Sequence, residues 1–441
     1  MGNQEIVHSS SFNPKKANPM SCRGDQIHAA SGAKFIIHPV LRLYGAHTWT
    51  LELNYHSLLL QEGVLGIAWT HNYEMRVEAS DDGSLTVWWN TGRCNRFDKQ
   101  ESDVYRSFDA AVRFDELSVG EDGTYRLWCR ETRETYLFHA DGKLTRHINT
   151  LGLAFLASYD AAGQLTSLTD EVSGSKLVFS YGEDGLLRQV SDGARCVKFS
   201  YDERRHLVQF TDPIGIVSEL AYTEEGRILS LHVAGELKYR NAYDEQARII
   251  AQTDASGRTS SFMYDTAYIP GYVVTVFTDR TGAQHILIHD ERYLLIAAHS
   301  PDDSEIEYTY NEDGQMTSRT NLAQETDYFA YDEEGRLIKR TDPRGNAYTY
   351  TYGERHQLLS ETDPEGGLPL TPTTRRGDLF ESATRTEARR SSNTMLWDNA
   401  QAIPTLPAAS SIINMMIAAV RALTRMRKGA SQPSTMTGSD V

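Results

Sequence analysis

A hydrolase needs paired carboxylates, or a nucleophile beside a base. This chain of 441 residues has 60 Asp and Glu and 14 His from which to build one. Their placement points elsewhere, because the acidic residues fall at fixed offsets in recurring turns. No Gly-x-Ser-x-Gly, His-Glu-x-x-His or P-loop occurs. Asp-rich turns could attract calcium, yet the Asp-x-Asp-x-Asp-Gly loop that would hold it is absent. Cys22, Cys94, Cys129 and Cys196 lie far apart and form no Cys-x-x-Cys, so neither a zinc site nor a redox pair is indicated. His71 sits in a distinctive stretch but has no partner motif. The expectation is no catalytic, cofactor-binding or metal residue.

The acidic residues serve a repeat instead. The pattern Tyr-(Asp)-x-x-Gly-x-(Leu) recurs at Tyr159, Tyr181, Tyr201, Tyr222, Tyr243, Tyr264, Tyr310, Tyr331 and Tyr352, with spacings of 22, 20, 21, 21, 21, 46, 21 and 21. His289, in His-Asp-Glu-Arg-Tyr-Leu-Leu, splits the gap of 46 into 25 and 21, and His139 extends the series one step upstream. Stacked repeats bury one common core, and no single unit need carry chemistry.

One copy shows the elements. From Tyr331, the turns Asp-Glu-Glu-Gly and Thr-Asp-Pro-Arg-Gly alternate with two short runs of period-2 apolar character. Tyr348, Tyr350 and Tyr352 point one way, as do Leu177, Phe179 and Tyr181. Six residues after the motif position comes an aliphatic residue in most copies: Leu165, Leu187, Leu207, Ile228, Ile249, Leu295, Met316, Leu337 and Leu358. Each repeat is expected to be a β-hairpin. Lone hairpins are marginal in water, so neighbours must pair into one antiparallel sheet.

The repeats are expected over residues 139–367, in about ten copies. Before them, residues 34–138 read as a non-repeat β module with strand candidates Lys34–Val40, Thr48–Tyr55, Leu85–Trp89, Tyr125–Cys129 and Thr135–Phe138. Residues 1–33 read as a flexible leader; its Arg23-Gly24-Asp25, an integrin-type tripeptide, is taken as incidental. Residues 368–441 contain no tyrosine and carry +4, whereas residues 1–367 carry −20 of the overall −16. The tail reads as irregular or short-helical, the helix candidate being Ser410–Lys428. A shifted or truncated reading frame would produce so abrupt a change, and a variable, disordered C-terminus is the other reading. The acidic body argues against nucleic-acid binding. No apolar h-region opens the N-terminus, and no apolar run reaches the ~18–20 residues that span a bilayer.

These residues resemble the Rhs / YD-repeat family, related to the teneurin and Tc-toxin C-component shells. Tyr331-Asp-Glu-Glu-Gly-Arg-Leu and Tyr159-Asp-Ala-Ala-Gly-Gln-Leu match its repeat. The stretch Gly66-Ile-Ala-Trp69-Thr70-His71-Asn72-Tyr73 is similar to the Gly-x-x-Trp-x-His-x-Tyr segment of the module that precedes the repeats in bacterial Rhs proteins. The resemblance implies an all-β fold in which repeat hairpins form a curved, spiralling antiparallel sheet, part of a hollow shell. It implies a non-enzymatic structural protein that encapsulates and delivers a C-terminal toxin in interbacterial competition. Its partners would be a toxin domain or the remaining shell segment, and export would use a specialised route; otherwise the protein is cytoplasmic. Asp363-Pro364-Glu365-Gly366-Gly367-Leu368 comes nearest to the family's closing segment, but it has an extra Gly and lacks the upstream Pro, so autoproteolysis is not assigned. The alternative reading is a binding module whose exposed tyrosines stack on glycans or cell-wall polymers.

Overall fold

The computed structural model describes residues 21–23, 26–100, 103–109, 111–266, 271–353 and 356–365. Gly24, Asp25, the closing-segment residues from 366 onward and the expected helix over Ser410–Lys428 lie outside the described residues.

The two runs of each repeat become strands because period-2 alternation puts one apolar row on a common face. Lys176–Tyr181 buries Leu177 and Phe179 and exposes Lys176, Val178 and Ser180. Cys196–Tyr201 repeats the pattern with Val197 and Phe199. From Arg76–Ala79 to Leu358–Thr362, 28 strands pair antiparallel, each with the next in sequence. No α-helix occurs among the described residues. The all-β expectation is met.

A regular irregularity bends this sheet. At Tyr159, Tyr181, Tyr201, Tyr222, Tyr243, Tyr310, Tyr331 and Tyr352 the register shifts. Tyr331 faces Leu337 while Ala330 faces Lys339, which leaves Ile338 as the extra residue. A bulge bends its strand and raises the local twist. Placed at the same end of successive hairpins, it coils the whole sheet. His289 carries the same shift, whereas Tyr264 pairs straight through with Thr275. The long step in the series is thus a hairpin without a bulge, and His289 is structurally a motif position.

No ladder joins Leu358–Thr362 to Arg76–Ala79 among the described residues. Arg76 instead bridges to Lys143, and the Val77 N–H donates to the Gly142 carbonyl at 2.9 Å. The first strand of the sheet therefore folds back onto the turn of the first repeat.

Phe35–Tyr44 and Thr48–His56 form a long hairpin, and Trp69–His71 adds to its second strand. This small sheet lies against the buried face of the first repeats. Leu41, Trp49, Leu53 and Tyr55 share one core with Phe138, Phe155, Phe179 and Phe199. Full burial of each such side chain contributes ~1.5–3 kcal/mol. Part of the expected leader is packed as well. Ile27 and Ala29 are fully buried, and Ile27–His28 pairs with Cys22–Arg23. The late repeats differ: Phe329, Tyr348, Tyr350 and Leu358, which occupy the equivalent inner positions, are only half-buried.

Candidate functional site

The motif tyrosines are brought into one ladder. Each hydroxyl donates to the main-chain carbonyl of the aliphatic residue one repeat earlier. Tyr159 reaches Leu144 at 2.8 Å, Tyr181 reaches Leu165 at 2.9 Å and Tyr201 reaches Leu187 at 2.7 Å. Tyr222 reaches Leu207 at 2.6 Å, Tyr243 reaches Ile228 at 2.9 Å and Tyr264 reaches Ile249 at 2.6 Å. Tyr310 reaches Leu295 at 2.8 Å, Tyr331 reaches Met316 at 2.8 Å and Tyr352 reaches Leu337 at 2.9 Å. The bulge explains the need, because the shifted register turns that carbonyl out of the strand ladder and a buried carbonyl requires a donor. Burial pushes the Tyr331 hydroxyl up to about 12, so it stays a donor at neutral pH.

The motif aspartates close the turns. Asp202 Oδ1 accepts the N–H groups of Arg204 at 3.0 Å and His206 at 2.8 Å. Asp244 does the same for Gln246 and Arg248, and Asp290 for Arg292 and Leu294. A carboxylate with both lone-pair directions committed to its own turn is unsuited to proton transfer.

The N-module residues meet this ladder from the inside. Trp69 is buried, and its Nε1–H donates to Tyr222 Oη at 3.0 Å. Tyr73 Oη donates to the Thr50 carbonyl at 2.9 Å, while its ring stands edge-on to Phe155 at 4.9 Å. Gly66 adopts φ +84°, and a Cβ there would overlap the Arg205 carbonyl oxygen. The neighbouring Ile67 N–H donates to that same carbonyl at 3.2 Å.

His71 is a core residue. Its Nδ1 accepts the Tyr73 N–H at 3.2 Å, and its ring lies 5.4 Å from Phe179. Burial holds it down to about 3, hence neutral. Glu74 accepts the His71 N–H at 2.9 Å, and burial raises its carboxyl to about 7.

Sequence reasoning missed Tyr55, whose Oη accepts the Ile228 N–H at 3.0 Å. It also missed the constellation most like an enzyme's. Glu134 Oε2 lies 3.1 Å from His147 Nε2 and accepts from Tyr136 Oη at 3.0 Å. The His147 and Tyr136 rings stack at 4.3 Å, and Trp49 and Phe155 close edge-on over His147 at 5.4 and 5.3 Å. The alternation Glu134, Tyr136 on one strand facing His147 on the next is visible in the sequence once the hairpin is known. The ring faces are occupied by protein, so this is packing rather than a substrate site. Among the described residues no group of three or more His, Cys, Asp or Glu is placed to hold a metal, and no helix is long and apolar enough to cross a membrane.

A coiled hairpin sheet, a recurring tyrosine rung and an N-terminal filler together define the wall of a YD-repeat shell. The family model of the teneurin YD-shell matches residues 50–304, and that of the RHS repeat matches residues 331–368. The chain belongs to the YD-shell family. It is 28% identical over 167 residues to the double-stranded DNA deaminase toxin A of Burkholderia cenocepacia (strain H111). It is 27% identical over 181 residues to the probable deoxyribonuclease RhsB of Dickeya dadantii (strain 3937). Each match covers 35% of this chain and 12% of the relative's length. Among solved structures, TcdB2-TccC3 aligns with 78% of this chain and 24% of its own, at 12% identity and a TM-score of 0.37.

Proposed function

We propose that this chain supplies wall and filler for a YD-repeat shell that encloses a toxin segment, delivered by a specialised route in competition between bacteria. Residues 34–138 would act as the N-terminal module and residues 139–367 as the repeat wall. The observation that carries this reading is the tyrosine-to-carbonyl ladder, nine rungs with a gap at His289, which ties the repeats into one wall instead of separate hairpins. The name of one relative, a DNA deaminase toxin, supports an enclosed toxin, and the half-buried inner face of the late repeats supports a lumen there. The wall itself would be non-enzymatic. Glycan stacking on the motif tyrosines has no observation that favours it, since their hydroxyls are committed to the main chain.

Cryo-electron microscopy of the full chain tests the reading. The expected result is a curved wall with residues 35–75 inside it and open space beside residues 316–362. A solid β-sandwich with both sheet faces covered throughout would overturn it. Purified chain incubated with duplex DNA should neither cut nor deaminate it.

A further inference from the structure

The rim formed by the motif turns is held in two different ways. Over the early repeats the N-terminal segment staples it through the main chain. The Val77 N–H reaches the Gly142 carbonyl at 2.9 Å, the Leu187 N–H reaches Val64 at 2.8 Å, the Ile67 N–H reaches Arg205 at 3.2 Å, and the Ile249 N–H reaches Gly32 at 2.9 Å. Each staple joins segments far apart in sequence, so none can break without moving an entire element.

The last three turns meet the sheet's own beginning instead. Arg113 Nη1 stands 2.6 Å from Asp313 Oδ1, with 47% and 24% of the two side chains exposed. That oxygen has no partner in hydrogen-bonding geometry, so the contact is an ion pair only. The Phe114 ring lies on Gly335 where any Cβ would collide with it. Trp128, on the opposite side of its strand from buried Leu127 and Cys129, meets the His356 ring at 4.9 Å. Among the described residues no main-chain hydrogen bond joins residues 103–133 to residues 305–362. An ion pair whose arginine is half-exposed holds modestly in water and is partly screened by salt, and a single aromatic pair adds only about as much.

We propose that this seam, Arg113, Phe114 and Trp128 against the turns of Asp313, Gly335 and His356, is a gate. The coil opens along it while the stapled turns stay shut and every hairpin stays paired. Opening uncovers the inner face around Phe329 and Tyr350. The seam would open whether or not the shell holds a toxin, so its test is separate from that of the function.

Hydrogen exchange of the full chain provides the test. Residues 111–116 and 353–358 are compared with 64–67 and 185–189. In Phe114→Ala/Trp128→Ala, uptake at the first pair of segments should rise about tenfold with no change at the second. Raising salt to 1 M on the unmodified chain should shift the same segments in the same direction, which keeps the proposal testable if the variant does not fold. Unchanged uptake at the seam, or an equal rise at seam and staples, would overturn the gate.

Discussion

The Trp69 indole N–H donates to the Tyr222 hydroxyl, and that hydroxyl donates in turn to the Leu207 carbonyl, at 3.0 and 2.6 Å. One side chain thus satisfies a bulged carbonyl of the wall and anchors the filler. The rings of Tyr55 and Trp69 pack at 5.2 Å beside this relay, and Tyr55 Oη itself accepts from the Ile228 N–H at 3.0 Å. Wall and filler are therefore one hydrogen-bonded body at this point.

The relay makes Tyr222 unequal to its eight counterparts. Tyr222→Phe leaves both the indole N–H and the Leu207 carbonyl without a partner in a buried place, at ~1–3 kcal/mol each for groups that cannot rehydrate. Tyr331→Phe removes one rung where no filler residue depends on it, at ~0.5–1.5 kcal/mol. Urea unfolding should rank Tyr222→Phe as the more damaging by at least ~1 kcal/mol. Equal losses would show that Trp69 does not draw on the ladder.

Left-handed turn residues give a second, opposed pair of outcomes. Ala247 occupies the motif glycine's slot at φ +66°, so Ala247→Gly should stabilise by up to ~1 kcal/mol. Gly66→Ala adds strain at φ +84° and a collision with the Arg205 carbonyl, and should cost more than Gly174→Ala, where φ is +71° and a Cβ would meet nothing within 4 Å. Thermal unfolding of the three variants checks the order.

Acid should loosen the N-terminal arm. His28 and His289 are fully buried with ring centroids 5.8 Å apart, and His289 Nε2 lies 3.0 Å from Ser21 Oγ. Burial first, then the charge of Arg23, holds His289 down to about 3, and burial holds His56 down to about 4. Burial, with His289 and His56 adding to it, also holds His28 well below the ordinary 6.5. Above pH 6.5 both states are neutral and nothing is at stake. Below it the unfolded chain takes up protons that the folded chain refuses, so stability falls as pH drops from 6.5 toward 4. His56 alone accounts for ~3 kcal/mol over that range. Urea midpoints between pH 7.5 and 4.5 should fall steeply, and His289→Asn should flatten the slope. A flat profile in the unmodified chain would contradict the buried-neutral assignment.

The repeat was legible because its signal is redundant: period, turn chemistry and alternation agree in most copies, as Lys176–Tyr181 and Cys196–Tyr201 show. The tyrosine ladder was only half legible. Spacing placed Tyr222 and its counterparts on one face, but the acceptor is a main-chain carbonyl exposed by a bulge, and a bulge leaves no mark of its own in the residue types. His289 could be recognised from Asp290 and the turn that follows it, whereas the missing bulge at Tyr264 could not. The leader escaped for a different reason. Ile27 and Ala29 are too few to show periodicity, and their burial depends on repeats more than 200 residues away, where the Thr275 hydroxyl donates to the Ala29 carbonyl at 2.7 Å.

Glu74 should destabilise the protein on the alkaline side, opposite in sign to the histidines. Its carboxyl titrates at about 7 in the folded chain against an ordinary 4.5, because burial outweighs the hydrogen bond from the His71 N–H and the charge of Arg76. A raised carboxyl favours the folded state fully below pH 4.5, and that advantage is lost as pH rises through 7. Its side chain is 20% exposed, which trims the ~3 kcal/mol implied by the shift to ~2 kcal/mol. Glu74→Gln keeps an oxygen for the His71 N–H and removes the charge. It should therefore raise stability by ~1–2 kcal/mol at pH 8 and change little at pH 5. Paired urea titrations at those two values decide the matter, and a variant equally destabilised at both would mean that the carboxylate is held by a favourable contact rather than merely tolerated.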